Sequence, residues 1–498
     1  MVGTFWALVP AILAIALALL TKEVYFSLLA GIIAGALFFT NFHVGMAIET
    51  TVEVMSSKVA GNIGIVIFLV LLGMVVALMT KSGASKAYGD WASSNITTKR
   101  GALGATAGLG VLIFVDDYFN CLTVGTIMKP VTDRYQVTRA KLAYIIDATA
   151  APICIIAPIS SWAAAVTSSM PDTNIDGFKL FLKTIPFNLY ALLTLGMIVF
   201  LIISQMDFAK MKRYEIEKAG SEKKVEDVVA APKDNKKGHV SDLIIPIACL
   251  ILFCILAMLY TGGILEGKNI VSAFADCNSS LSLVIGSFFT IIVIALLYLP
   301  RKILTFTQFT DSLVEGFKAM VPAILILTFA WTLSGICGDG YMEAGTYVSE
   351  LVNNSQMTHA IIPVLFFLVA LGLAFATGTS WGTFGILIPI VIAIFGNVES
   401  TLLVISVSAV MAGAVCGDHI SPISDTTILS STGAGCNHID HVSTQIPYAL
   451  TVCVFCVLGY LVAGFTENLL LTWLVGFGGL FITLFVIYKR QKAASPAK

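Results

Sequence analysis

The chain has 498 residues, of which 57% are hydrophobic and 12% charged, with a formal net charge of −1. Soluble domains carry about 25% charged residues, so this composition, with a mean hydropathy of +0.91, places the chain among membrane proteins with the lipid bilayer as its partner. The near-neutral charge leaves no basic footprint for nucleic acid.

Apolar runs near 5–21, 24–40, 62–80, 184–204, 243–260, 281–299, 318–333, 446–464 and 468–488 each fit a span of roughly 20 residues. The first run has no basic flank before it and further spans follow, which argues against a secretory signal. Ten cysteines lie in apolar context. Cys453 and Cys456 form CVFC inside a strongly apolar span, where free cysteine behaves as a small buried hydrophobe. No paired Cys/His spacing suggests a metal centre.

Lys and Arg on short loops mark the cytoplasmic side. They cluster at Lys81, Lys86, Lys99 and Arg100; at Lys129, Arg134, Arg139 and Lys141; in the polar segment 206–242; at Arg301 and Lys302; and at Lys489, Arg490 and Lys492. The loops 41–61, 263–280 and 338–358 are poor in them. Segment 206–242 reads as a cytoplasmic linker, partly disordered.

Both 81–100 and 129–141 are cytoplasmic by charge, so residues 101–128 between them cannot form one simple span. They fit a re-entrant hairpin turning near Asp116 and Asp117. A second hairpin, 359–397, turns at Thr377-Gly378-Thr379-Ser380. The expectation is an all-α polytopic membrane protein with about eleven transmembrane helices, an outside N-terminus and an inside C-terminus.

The halves resemble each other. SLLAG at 27–31 recurs as SLVIG at 282–286, and APISS at 157–161 as SPISD at 421–425. Residues 1–205 and 243–466 then form two inverted repeats, each of five spans with a hairpin and a broken helix; 467–498 adds a final span and tail. Inverted-repeat transporters carry their sites near the midplane, on broken helices from corresponding positions.

Pro158 and Pro422 each interrupt an apolar segment. Proline removes a backbone donor and frees carbonyls, which at membrane depth need ions, water or hydroxyls. Ser160 and Ser161 follow the first proline; Ser424, Asp425, Thr426 and Thr427 follow the second. Such oxygen-rich backbone suits Na+, with Ser160, Ser161, Ser424 and Asp425 as ligands, unless each proline is a plain kink.

Asp116 and Asp117 sit at the first hairpin tip, followed by Asn120 and Thr123; Asp147 precedes the first break and Asp418 the second. Intramembrane carboxylates are costly and usually functional, and one that holds either H+ or Na+ is the minimal machinery of an antiporter. The plainer readings are a water-exposed turn for Asp116 and Asp117, a Lys141 pair for Asp147 and a structural hydrogen bond for Asp418. His419 could relay protons or cap a carbonyl, whereas His438 and His441 in GAGCNHIDH read as a solvated loop. Trp162 and Trp381 either pack or wall a substrate cavity. At the second tip, glycines let backbone approach a ligand, and Thr377, Thr379, Ser380 and Thr383 offer hydroxyls.

FVDDYFNCLTVGTIMKPVTDRY at 114–135, TGTSWGTFG at 377–385 and GDHISPISDTT at 417–427 resemble the NhaC-type Na+/H+ antiporter family, within an ion-transporter superfamily of inverted repeats and paired hairpins. The resemblance runs over roughly residues 25–490 and implies a bacterial cytoplasmic-membrane transporter using Na+ and H+, plausibly a homodimer. It points to Asp116, Asp117 and Asn120 with Ser160 and Ser161, and to Thr377, Thr379 and Ser380 with Ser421, Ser424, Asp425 and Thr426. Some members look like exchangers or symporters of organic acids or amino acids, so coupled transport of such a substrate stands as the alternative. Two further classes are disfavoured. Two matched breaks favour alternating access over a channel. Ser, His and Asp within 418–425 do not make an enzyme, because a nucleophile needs an oriented base and an accessible pocket. No cofactor is expected, and without a nucleotide fingerprint the driving force is an ion gradient.

Overall fold

A computed structural model describes the chain except residues 22, 171–174, 219–237, 271–272, 274–276, 339, 345–346, 348–358, 396–398, 423 and 495–498. Most of the expected linker, and Ile423 within the second break, therefore lie outside the described residues.

The described residues are almost wholly helical. In the first half the helices are α1 (Val9–Thr21), α2 (Val24–Phe39), α3 (Val44–Gly61), α4 (Ile63–Lys81), α5 (Ala84–Asn95), α6 (Lys99–Leu112), α7 (Asp117–Arg134), α8 (Arg139–Cys154), α9 (Ser161–Ser168), α10 (Gly177–Thr184) and α11 (Leu189–Ser204). A short α12 (Ala209–Lys218) opens the linker. The second half comprises α13 (Ser241–Thr261), α14 (Ser279–Tyr298), α15 (Phe306–Cys337), α16 (Ile362–Thr377), α17 (Ser380–Ile394), α18 (Thr401–Ile420), α19 (Asp425–Ala434), α20 (His438–Thr466) and α21 (Leu469–Ala494).

Among the described residues, seven helices are long and apolar enough to cross a membrane: α4, α13, α14, α15, α18, α20 and α21. The bent pair Gly177–Phe187 and Leu189–Ser204, at 43°, makes an eighth. The eleven-span reading also counts α1, α2 and the interrupted α8–α9, whose helices are 13, 16 and 16 plus 8 residues long. On α14 and α21, Phe288, Phe289, Leu296, Leu470, Leu474 and Ile482 are exposed, the outward face a lipid-immersed helix needs. The chain is a multi-pass membrane protein.

Local chemistry sets the helix boundaries around the interior. Thr98, Thr138, Ser160, Asn188, Thr379, Ser400 and Ser424 each accept a backbone N–H with the side chain at the start of α6, α8, α9, α11, α17, α18 and α19, as helix N-caps do. The first hairpin turns through residues 113–116. Asn120 holds that turn: its amide donates to Gly110 O at 2.7 Å, Ile113 O at 3.0 Å and Thr149 O at 3.2 Å. The first two are carbonyls the end of α6 would otherwise leave unpaired, and the third ties the turn to α8. The second hairpin turns on Gly378, whose φ of +68° is a left-handed helix cap. Its first arm, α16, packs along α18, where a Cβ at Gly417 would meet Leu371 O at 2.2 Å and one at Gly413 would meet Phe367 O at 2.3 Å.

Both breaks are present, and hydroxyls and an imidazole cover their carbonyls. Ser160 Oγ lies 2.8 Å from Cys154 O and 3.0 Å from Ala157 O. Ser421 Oγ donates to Phe375 O at 2.7 Å, and His438 Nε2 is 2.7 Å from Pro422 O.

Candidate functional site

The hairpin tips meet the breaks through one repeated contact, a hydroxyl on a carboxylate. In the first half, Ser161 N donates to Val115 O at 2.9 Å and Ser161 Oγ to Asp116 Oδ2 at 3.2 Å. In the second, Ser380 Oγ lies 3.0 Å from Asp418 Oδ2 and 3.1 Å from Ala414 O. The roles are exchanged: the first tip supplies the carboxylate, the second the hydroxyl.

The two contacts belong to one buried centre. Asp116, Asp117 and Asp418 are 3%, 3% and 4% exposed. Asp117 interacts electrostatically with both Asp116 and Asp418 and stands beside Trp162. Trp162 meets Trp381 edge-on, with ring centroids 6.2 Å apart at 83°, and both contact Phe384. Asp117, Ser161 and Ser380 begin α7, α9 and α17, and Ser424, which caps α19, lies beside Asp418; the positive ends of these helix dipoles favour negative charge. Neither Asp117 nor Asp418 forms an ion pair among the described residues. Buried carboxylates without an ion pair, as at Asp117 and Asp418, are costly, and a cation or proton relieves that cost.

Other expected residues are at the rim or occupied locally. Asp425 is exposed and accepts from Tyr118 Oη at 3.1 Å, while Ser424 and Thr426 hydroxyls pair at 3.0 Å. Ser424 lies beside Asp418. Thr379 caps α17, and Thr383 Oγ1 donates back to Thr379 O at 2.9 Å. The Thr377 side chain lies outside the described residues.

Asp147 forms a second buried centre. Its Oδ2 accepts from Thr427 Oγ1 at 3.2 Å and Gln445 Nε2 at 3.0 Å, and lies 3.2 Å from His441 Nε2 and 3.8 Å from His419 Nε2. Gln445 also donates to His419 O. His419 Nδ1 pairs with Tyr190 Oη at 2.7 Å, and the ring stacks on Tyr144. Asp147, His419, His441 and Gln445 are at most 3% exposed.

The plainer alternative for Asp147 is excluded here, and one expectation is corrected. Lys141 pairs with Asp207 at 2.6 Å, not with Asp147, because the α8 N-terminus turns Lys141 toward the start of the linker. His441 is not in a solvated loop but is fully buried on α20, which Asn437 caps through Ile439 N and Asp440 N. His441, Gln445 and Tyr448 recur at i, i+4 and i+7, one face of a helix. That spacing was available in the sequence; Tyr190 and Tyr118 carried no comparable signal.

Comparison with known proteins places this arrangement. A sequence model described as the Na+/H+ antiporter family matches residues 163–465, from α9 to α20. An uncharacterised protein of Haemophilus influenzae is 42% identical over 504 residues, covering 97% of this chain and 95% of that protein. The malate-2H(+)/Na(+)-lactate antiporter of Bacillus subtilis is 28% identical over 199 residues, 39% of this chain and 40% of its own. The fold is similar to the crystal structure of the YdaH transporter of Alcanivorax borkumensis, with a TM-score of 0.56 at 15% identity, covering 87% of this chain and 89% of that one. The chain is a secondary transporter and belongs to the Na+/H+ antiporter family.

Proposed function

We propose that the protein is an NhaC-type Na+/H+ antiporter of a bacterial cytoplasmic membrane, with its N-terminus outside and its C-terminus inside. It works by alternating access around the carboxylate centre at the two hairpin tips. The observation that carries this reading is the paired hydroxyl–carboxylate contact, Ser161 with Asp116 and Ser380 with Asp418, in one buried centre with Asp117. Na+ fits there, coordinated by Asp116, Asp117 and Asp418 with the two serine hydroxyls. A proton neutralises the same carboxylates when Na+ leaves. The matched positions of the contacts support two inverted repeats rocking about this centre.

The test is Asp418→Asn, reconstituted in liposomes at wild-type levels. Na+-driven proton movement is expected to fall to the background of empty liposomes. Wild-type exchange in this variant contradicts the assignment of Asp418.

A second reading, coupled transport of a small organic acid or amino acid, is favoured by the Trp162–Trp381 wall and by the four helix N-termini at the centre, which suit a substrate carboxylate. The name of the Bacillus subtilis relative points the same way. A native-state ligand stabilises by RT ln(1 + [L]/Kd). A melting shift with a carboxylate or amino acid, present only with Na+, supports this reading; no shift with any of them counts against it.

A further inference from the structure

The Asp147 centre is separate from the carboxylates at the hairpin tips, and the exchange just described does not use it. Three donors converge on one carboxylate oxygen, Oδ2, from Thr427 on α19 and from His441 and Gln445 on α20. Asp147 Oδ1, His441 Nδ1 and Gln445 Oε1, all buried, have no hydrogen-bond partner. With His441 Nε2 donating to the carboxylate, the neutral ring leaves a bare Nδ1. The cluster then carries one negative charge. A proton on Nδ1 makes an imidazolium against Asp147, and the pair becomes neutral overall.

The surroundings suit that exchange of charge states. The titratable groups that interact with the His441–Asp147 pair are Cys121 from α7, Tyr144 on α8 itself, and Asp418 and His419 from α18, and Tyr190 from α11 pairs with His419. Among the described residues neither Asp147 nor His441 is in an ion pair with a Lys or Arg. The cluster also grips both lips of the second break: Gln445 holds His419 O at the end of α18, and Asp147 holds Thr427 at the start of α19.

We propose that His441, seated on Asp147, is a proton-binding site distinct from the cation site and coupled to it through the second helix break. The proton enters at Nδ1 and leaves from it, with no other bond changed. Coupling follows from position. Asp418 ends the same turn of α18 whose carbonyl Gln445 holds, so a change in how the pair grips the break displaces the carboxylate that faces Ser380. This rests on the exchange reading for its consequence, but the protonation itself does not.

The experiment uses full-length protein in detergent and two readouts. Ring-15N-histidine spectra recorded from pH 5 to 9 are compared for wild type and His441→Gln. One buried histidine that titrates in the wild type and whose signals vanish in His441→Gln is expected; a resonance assigned to His441 that keeps one protonation state across the range overturns the proposal, whatever ion is transported. The concentration of Na+ giving half-maximal thermal stabilisation is then followed over the same pH range. In His441→Gln the half-maximal concentration should match the wild type at pH 8.5 and lie at least threefold below it at pH 6. An unchanged pH profile overturns the coupling. If Na+ does not stabilise the wild type at all, the exchange reading fails, and the spectra still decide whether His441 binds a proton. Asp147→Asn, which keeps the shape of the carboxylate, serves as a second variant should the glutamine not fold. It should move the histidine titration toward lower pH, since the imidazolium loses its counter-charge; an unmoved titration overturns the pairing.

Discussion

At the scale of single residues, the centre is built from short side chains on helix ends, and each has a defined partner. Ser161 and Ser380 donate to carboxylates across the breaks. A hydrogen bond to a charged group contributes about 1.5–3 kcal/mol, and each 1.4 kcal/mol is about tenfold in a binding constant. Ser161→Ala and Ser380→Ala should each raise the half-saturating Na+ concentration by about tenfold, read as the Na+ dependence of proton movement in liposomes. Wild-type Na+ dependence in both would remove the hydroxyls from the site. Several of these residues were legible in advance because chemistry forces them: a carboxylate or serine beside a proline in an apolar run has few structural reasons to be there. Asn120 was legible as a site residue, yet its amide serves to close the hairpin turn. His441 was misread although its spacing with Gln445 and Tyr448 marks one helix face; its partner, Asp147, is 294 residues away in the chain, and the spacing does not name it.

At the scale of elements, glycine spacing decides how closely the hairpin can approach the broken span. Gly417 has Leu371 O within 2.2 Å of where a Cβ would stand, whereas nothing lies within 4 Å of a Cβ at Gly104. Backbone oxygens cannot yield as a flexible side chain can. Gly417→Val should lower the melting temperature in detergent sharply or prevent assembly, since α16 must leave α18. Gly104→Ala on α6 should be neutral to stabilising by up to about 1 kcal/mol, the helix propensity difference. Equal melting temperatures for the two variants would mean that the hairpin does not depend on that close approach. The first hairpin was drawn from charge, since a segment with Lys and Arg clusters at both ends cannot be one simple span, and the second from the match between the halves. Their turns were readable from glycine and hydroxyl punctuation. Not readable was the way each break satisfies its own carbonyls. Ser160, Ser421 and His438 do so, because a side chain that folds back onto the backbone leaves no periodic trace.

At the scale of the whole molecule, both halves contribute to each of the two buried centres. Asp147 from the first half is held by Thr427, His441 and Gln445 from the second. Asp117 and Asp418 interact electrostatically across the halves. If the halves move relative to one another, as the proposed alternating access requires, both centres change together, which would couple two ions in one cycle. The most direct measurement of that claim uses purified protein in liposomes containing a pH-sensitive dye, with the membrane potential clamped and an inward Na+ gradient imposed. Internal alkalinisation that follows Na+, absent with K+, is the expected result. A silent trace from liposomes whose protein is still thermally stabilised by Na+ would show that Na+ binds without protons as counter-ion, and would contradict Na+/H+ exchange.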